Sequence, residues 1–175
     1  MKKNLIMALL ILGTFLIQST VRAIIPAQYT IPDLLIILTC SMGLMRGKKS
    51  GMLTGFFSGL LYDLFYGTVF GFTALCFLYI GYANGHLYKV FFDEDIRVPM
   101  ATVGLSELVY KLALFTIEFI LFRRYRFGAY FSGMILPAVI ASIVFTIFMY
   151  TLYRFINKRL SEYEAEAQNS PWLRR

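Results

Sequence analysis

Three ionisable residues interrupt one long apolar segment of the chain, and they are the residues best placed to do chemistry in a membrane. Glu107, Lys111 and Glu118 fall within about 40° of one another on a helical wheel. Glu107 and Lys111 are four residues apart, with the acid first, which is the favourable order for an ion pair on one helix. Intramembrane charges often mark ligand or ion sites, but such a pair can also simply fix helix register. Both readings stay open.

The position of this pair predicts that it needs polar neighbours. Glu107 lies about 14 Å into the segment, near the bilayer centre. A central charge costs about 2.5–3.5 kcal/mol on insertion scales, and each Leu, Ile, Phe or Val returns only about 0.3–0.6 kcal/mol. The free energy of inserting this segment into the membrane by itself is therefore close to zero. We expect the pair to be satisfied within a helix bundle.

Two aspartates occur at the ends of other apolar segments. Asp33 follows Pro32 at a predicted helix start, where the helix dipole favours a carboxylate. Asp63 lies near the end of the third segment, in register with a row of glycines. It could cap a helix, pair with an arginine or contact a partner.

The sequence predicts no enzyme and no cofactor or metal. Tyr62-Asp63 resembles half of an intramembrane aspartyl protease site, but no second Gly-x-Gly-Asp occurs. Serine, histidine and aspartate are present without a nucleophile motif. Cys40 and Cys76 lie within apolar runs, where cysteine acts as a small apolar residue, and His86 has no Cys or His nearby.

The composition predicts an all-α membrane protein. Of 175 residues, 58% are hydrophobic and only 15% are charged, with a mean hydropathy of +0.66. A soluble domain carries about a quarter charged residues. The net charge of +7 does not indicate nucleic acid binding, because the basic residues cluster at the ends of apolar runs rather than in one patch.

Hydropathy divides the chain into six segments, which predict a six-transmembrane-helix bundle. The first reads as an uncleaved helix rather than a signal peptide, since no cleavage site follows it. Pro137 predicts a kink or a late start in the sixth. The segments run roughly over 4–25, 32–45, 50–66, 68–90, 98–122 and 131–156, so that 1–156 forms one domain and 157–175 a short cytoplasmic tail.

The basic residues predict the orientation. With the N-terminus in the cytoplasm, most Lys and Arg residues fall on the cytoplasmic side, and the C-terminus is cytoplasmic as well. The cluster from Arg123 to Arg126 falls on the opposite side and violates the rule, which leaves the parity of the last two spans open.

Glycine recurs at every fourth position along the third segment, at Gly51, Gly55 and Gly59, and again at Gly81 and Gly85 in the fourth. Residues four apart share one helix face. In lipid, small residues allow the close backbone approach that holds helices together. The row therefore predicts a groove for another helix, which belongs either to the same chain or to a partner.

The central block, residues 32–85, resembles the rod shape-determining protein MreD family. The resemblance rests on several short motifs, taken together with their order and spacing. They are Pro32-Asp33-Leu34, Gly43 to Gly47 with basic residues, Gly55-Phe56 to Gly59-Leu60, Asp63, and Gly67 to Gly71. The family is similar in architecture to the substrate-binding subunits of energy-coupling-factor transporters.

The resemblance implies a non-enzymatic component of the bacterial cell-elongation machinery in the cytoplasmic membrane. It implies an MreC-like membrane partner, and through it MreB filaments and the RodA and penicillin-binding synthases of the peptidoglycan wall. The candidate contacts are the glycine row, Pro32 with Asp33, and Asp63. The alternative is a small-molecule-binding subunit of a transporter, which a polar cavity lined by Glu107 and Lys111 would favour.

Overall fold

A computed structural model describes residues 2–24, 32–67, 69–88, 97–122 and 127–169. The helices are α1 (Lys2–Ile24), α2 (Leu34–Arg46), α3 (Lys48–Tyr66), α4 (Phe72–Leu87), α5 (Arg97–Phe122), α6 (Phe127–Tyr130) and α7 (Leu136–Asn169), with a π-helical turn, Phe131–Ile135, between the last two. These residues form helices and no strand, which confirms the all-α prediction.

Within the described part of the chain, three helices are long and apolar enough to cross a membrane, so the chain is an integral membrane protein. They cover Ile6–Ile24, Arg97–Ile117 and Phe131–Arg159. The helices α2, α3 and α4 are shorter or more polar, with 13, 19 and 16 residues. At 1.5 Å per residue, α2 spans only about 20 Å of a hydrocarbon layer about 30 Å thick. Six complete crossings therefore remain a prediction, as does the similarity to transporter subunits.

The apolar helix α2 forms the centre of the molecule. Every residue from Leu34 to Gly43 is buried, and the run from Leu35 to Leu38 has no exposed surface. A helix that is apolar on all sides is stable only when other helices surround it. Here α1, α3, α4, α5 and α7 all contact α2.

The glycine row packs α3 against α4 of the same chain. A Cβ atom placed on Gly55 would overlap the carbonyl oxygen of Phe77, and one placed on Gly51 would overlap that of Gly81. At Gly59 it would lie 2.5 Å from the Cα atom of Ala74. Only glycine at these positions allows the two backbones to come this close.

The turn between α2 and α3 also depends on glycine. Gly47 has a φ of 81°, a region that L side chains rarely adopt, and its N–H donates to the carbonyl of Gly43 at 2.9 Å. The turn is tight enough to hold α2 and α3 side by side. At the other end of α3, Gly71 adopts a φ of 88° immediately before α4 begins.

The last helix contains a π-helical turn next to its proline. Pro137 has no N–H for the carbonyl four residues earlier, and its ring would collide with that carbonyl in a regular α-helix. The wider turn Phe131–Ile135 avoids the collision, so the helix continues through the proline. Together α6, the π-helical turn and α7 run from Phe127 to Asn169, beyond both ends of the predicted apolar segment 131–156.

Candidate functional site

Asp33 lies at the centre of a buried ionic cluster that joins three helices. Its carboxylate accepts hydrogen bonds from Lys111 Nζ at 2.6 Å, Arg22 Nη2 at 2.8 Å and Gln18 Nε2 at 2.9 Å. The Asp33 residue is only 1% exposed. Charge-assisted hydrogen bonds of this kind compensate the desolvation of a buried carboxylate, so the cluster is a strong tie between α1, the start of α2 and α5.

The local sequence explains why Asp33 faces inward. It is the N-cap residue of α2, and its carbonyl accepts the N–H groups of Ile36 and Ile37. Its side chain makes no cap hydrogen bond to its own helix. Instead Gln18 caps α2 from outside, because its Oε1 accepts the N–H of Leu35 at 3.1 Å. The Asp33 carboxylate is thereby left to bind the two cations.

Glu107 and Lys111 are neighbours, as their spacing predicts, but Lys111 also bonds to a carboxylate from another helix. Lys111 lies 2.6 Å from Asp33 and 3.6 Å from Glu107 Oε1. Glu107 has no exposed surface, and neither of its carboxyl oxygens has a hydrogen-bond partner among the described residues. The main anion for Lys111 is therefore Asp33. The side chain of Glu118 lies outside the described part of the chain.

Arg22 is a member of the cluster that the sequence analysis did not identify. Its Nη1 donates to the hydroxyl of Tyr62 at 2.9 Å, and its guanidinium lies 4.9 Å and 5.1 Å from the ring centres of Tyr62 and Tyr66. The available signal was the spacing of Gln18 and Arg22, which are four residues apart on one face of α1.

Asp63 caps the start of α4. Its Oδ2 accepts the backbone N–H of Ala74, the third residue of that helix, at 3.1 Å. Asp63 is 4% exposed, so the bond is shielded from water. The carboxylate satisfies an orphan N–H and faces the positive end of the helix dipole. Asp63 is in register with the glycines because the face of α3 that carries them is the face that packs on α4.

The two glycines of the row that lie on α4, Gly81 and Gly85, are enclosed in the same way. A Cβ atom on Gly81 would overlap the carbonyl of Gly51, and one on Gly85 would overlap the backbone of Lys48. The packing that the structure shows for the row is therefore within the chain. Because α4 covers it, the row has no room for a helix of another protein.

A groove on the outer surface lies between α1 and α3. It has a volume of about 480 Å³ and is open at the surface of the bundle. Its lining contains no ionisable side chain, and it consists of Met7, Ala8, Ile11, Leu12, Leu53, Phe57 and Leu61. Such a surface can hold an apolar group and offers no acid, base or nucleophile.

The chemistry of the described residues is consistent with packing and binding. Among residues 2–24, 32–67, 69–88, 97–122 and 127–169, no group of three or more His, Cys, Asp or Glu side chains is arranged to hold a metal ion. The two cations of the cluster, Arg22 and Lys111, share the carboxylate of Asp33 at close range. The site therefore holds helices together.

A comparison with protein families gives one match. The model of the family described as rod shape-determining protein MreD matches residues 1–156, which is most of the chain. Neither the comparison with curated proteins nor that with solved structures yields a significant match. With its helices, its glycine-packed core and this match over nearly its whole length, the chain belongs to the MreD family of rod shape-determining membrane proteins.

Proposed function

We propose that this chain is a non-enzymatic scaffold of the bacterial cell-elongation machinery that binds an MreC-like membrane partner. It would lie in the cytoplasmic membrane with both termini in the cytoplasm. Through the partner it would connect indirectly to MreB filaments and to the RodA and penicillin-binding synthases. Membership of a shape-determining family supports this role.

The groove between α1 and α3 is the observation that carries the proposal. Leu12, Leu53 and Phe57 on its walls are 48%, 54% and 52% exposed. The small side chain of Ala8 leaves space beside them. Lipid tails are as apolar as these side chains, so helices associate in a bilayer through shape and close packing. A groove with small and large residues side by side supplies such a shape. A bulky apolar side chain of a partner helix would fit into it.

The other surfaces that the sequence offered for a partner are already used. The glycine row contacts α4, and Asp33 and Asp63 are each bonded inside the chain. Partner binding through these residues would require the bundle to open. The groove needs no such change, which is why we place the contact there.

The experiment compares two alanine substitutions. Ala8 lies in the groove, and Ala101 lies on α5, outside it; both are exposed. We expect Ala8→Trp to lower the fraction of MreC-like partner that is crosslinked in native membranes and copurified by about tenfold, equivalent to about 1.4 kcal/mol. Ala101→Trp should retain the partner.

Two results would contradict the proposal, and they have different meanings. Equal recovery of the partner with both variants, at equal unfolding midpoints, would remove the groove as the contact. If the unaltered chain recovers no MreC-like protein at all, the scaffold function itself is wrong.

A polar cavity lined by Glu107 and Lys111 would favour the transporter alternative. Glu107 has no exposed surface, Lys111 is bonded to Asp33, and neither residue lines the groove between α1 and α3. We therefore favour the scaffold.

A further inference from the structure

A second, more polar cleft lies where α3 ends and α4 begins, facing α5. Its volume is about 90 Å³, room for about three water molecules at roughly 30 Å³ each. This is too small for a drug-sized molecule, which needs about 300 Å³ or more, and it suits a single polar headgroup. The lining residues are Tyr62, Tyr66, Gly67, Val69, Phe72, Thr73, Tyr110, Leu114 and Ile117.

The hydroxyl groups of this cleft have hydrogen atoms to spare. The Tyr62 oxygen accepts from Arg22 Nη1, so the Tyr62 hydrogen remains available as a donor. Tyr110 and Thr73 share a single long contact of 3.4 Å in which one of them donates, and the hydrogen of the other is left over. Tyr110 is only 1% exposed, so bulk water does not readily satisfy it. The cleft therefore needs a ligand that accepts hydrogen bonds.

The charges behind the cleft favour an anionic acceptor. Arg22 bonds directly to Tyr62 and polarises its hydroxyl, and the Lys111 ammonium lies 5.5 Å from the ring centre of Tyr110. Two carboxylates lie near the cleft. Asp33 is enclosed by its own three donors, and Asp63, which lies against Gly67, uses its Oδ2 to accept the N–H of Ala74 at the positive end of α4. A hydrogen bond to a charged acceptor is about twice as strong as one between neutral groups.

The other walls are apolar. Val69 and Phe72 on one side and Leu114 and Ile117 on the other lead away from the hydroxyls. A ligand that fills the cleft would thus place its oxygen atoms at the tyrosines and its carbon atoms along these walls.

From these features we propose that the cleft binds the oxyanion headgroup of an amphiphile, a carboxylate or a phosphate carried on an apolar chain. The tyrosine hydroxyls of α3 and α5 donate to the headgroup oxygens. The binding is independent of partner association, because the groove between α1 and α3 is lined by different residues.

The test uses the full chain in micelles of dodecyl maltoside, an uncharged detergent without phosphate or carboxylate, titrated calorimetrically with hexyl phosphate and corrected with empty micelles. Tyr62→Phe and Tyr110→Phe each remove one donor hydroxyl and keep the ring. We expect each to weaken binding by about tenfold to a hundredfold, the effect of losing one hydrogen bond to a charged group. Tyr79→Phe is the matched control, since Tyr79 is 62% exposed on α4 and lies outside the cleft.

Other ligands and one further variant distinguish the possible outcomes. Hexanol and hexyltrimethylammonium should bind much more weakly than hexyl phosphate, and Ala8→Trp should leave its binding unchanged. The proposal is overturned if hexyl phosphate gives no more heat than with empty micelles, if the cationic probe binds equally well, or if both cleft variants bind like Tyr79→Phe. Inorganic phosphate that binds as tightly as hexyl phosphate would overturn the amphiphile and assign a free anion instead.

Discussion

Gly59→Ala should separate α3 from α4 and destabilise the bundle. The added Cβ atom would lie 2.5 Å from Ala74 Cα, whereas carbon atoms pack at about 3.5–4.0 Å. The helices must therefore move apart by at least about 1 Å. Overpacking costs about 1–3 kcal/mol, and because a backbone atom cannot rotate away we take about 3. Alanine returns about 1 kcal/mol of helix propensity. The net loss is about 2 kcal/mol, or about 30-fold in the folding equilibrium.

The measurement is the free energy of unfolding in mixed detergent micelles, followed by circular dichroism as the denaturing detergent is increased. Gly13→Ala is the control, since nothing lies within 4 Å of a Cβ atom at that position in α1. This variant should match the unaltered chain or gain up to about 1 kcal/mol. The reasoning about the glycine row is refuted if Gly59→Ala unfolds at the same detergent fraction as Gly13→Ala.

Substitutions in the ionic cluster and at the α4 cap should give effects of different size in the same assay. Asp33→Asn leaves Arg22 and Lys111 without their shared anion and should cost about 3 kcal/mol. Glu107→Gln should fall within about 1 kcal/mol of the unaltered chain or stabilise it, because Glu107 is fully buried, accepts no hydrogen bond from the described residues and lies 3.6 Å from Lys111. Equal losses for these two variants would show that Glu107 is as important an anion as Asp33. Asp63→Ala removes the cap of α4 and should cost about 1 kcal/mol, and an unchanged midpoint would mean that the cap contributes nothing.

Local patterns in the sequence predicted the helices and their packing faces. The period of four indicated a close-packed face on α3, and the structure fills it with α4. The predicted start at 32 for the second segment compares with the observed α2 start at Leu34, and Pro32-Asp33 precedes it as a helix-start signal would. These features depend on neighbours within one or two turns, which a sequence displays directly.

Contacts between residues that are far apart in the chain could not be predicted from these local patterns. The spacing of Glu107 and Lys111 favours a pair on one helix, but Lys111 bonds more closely to Asp33, 78 residues away in the chain. Nothing in the sequence ranks a remote carboxylate above a local one, because that choice depends on how the helices pack. The groove between α1 and α3 was unpredictable for the same reason.

The predicted limit at 156 is the end of an apolar segment, because hydropathy reports where the lipid ends rather than where a helix ends. The segment after 156 is polar, but it is rich in glutamate, alanine and glutamine, which are good helix formers in water. The helix accordingly continues to Asn169.

The composition of the ionic cluster has a consequence for biosynthesis. Arg22 and Asp33 are only 11 residues apart, so the first hairpin delivered to the translocon already holds one positive and one negative charge. Glu107 and Lys111 enter later on a single helix, again as an acid and a base. The Arg22–Asp33 pair and the Glu107–Lys111 pair are thus each neutral before they meet, and the bond from Lys111 to Asp33 can form afterwards by exchange inside the bilayer. None of these four charges has to wait alone in the lipid for the rest of the protein.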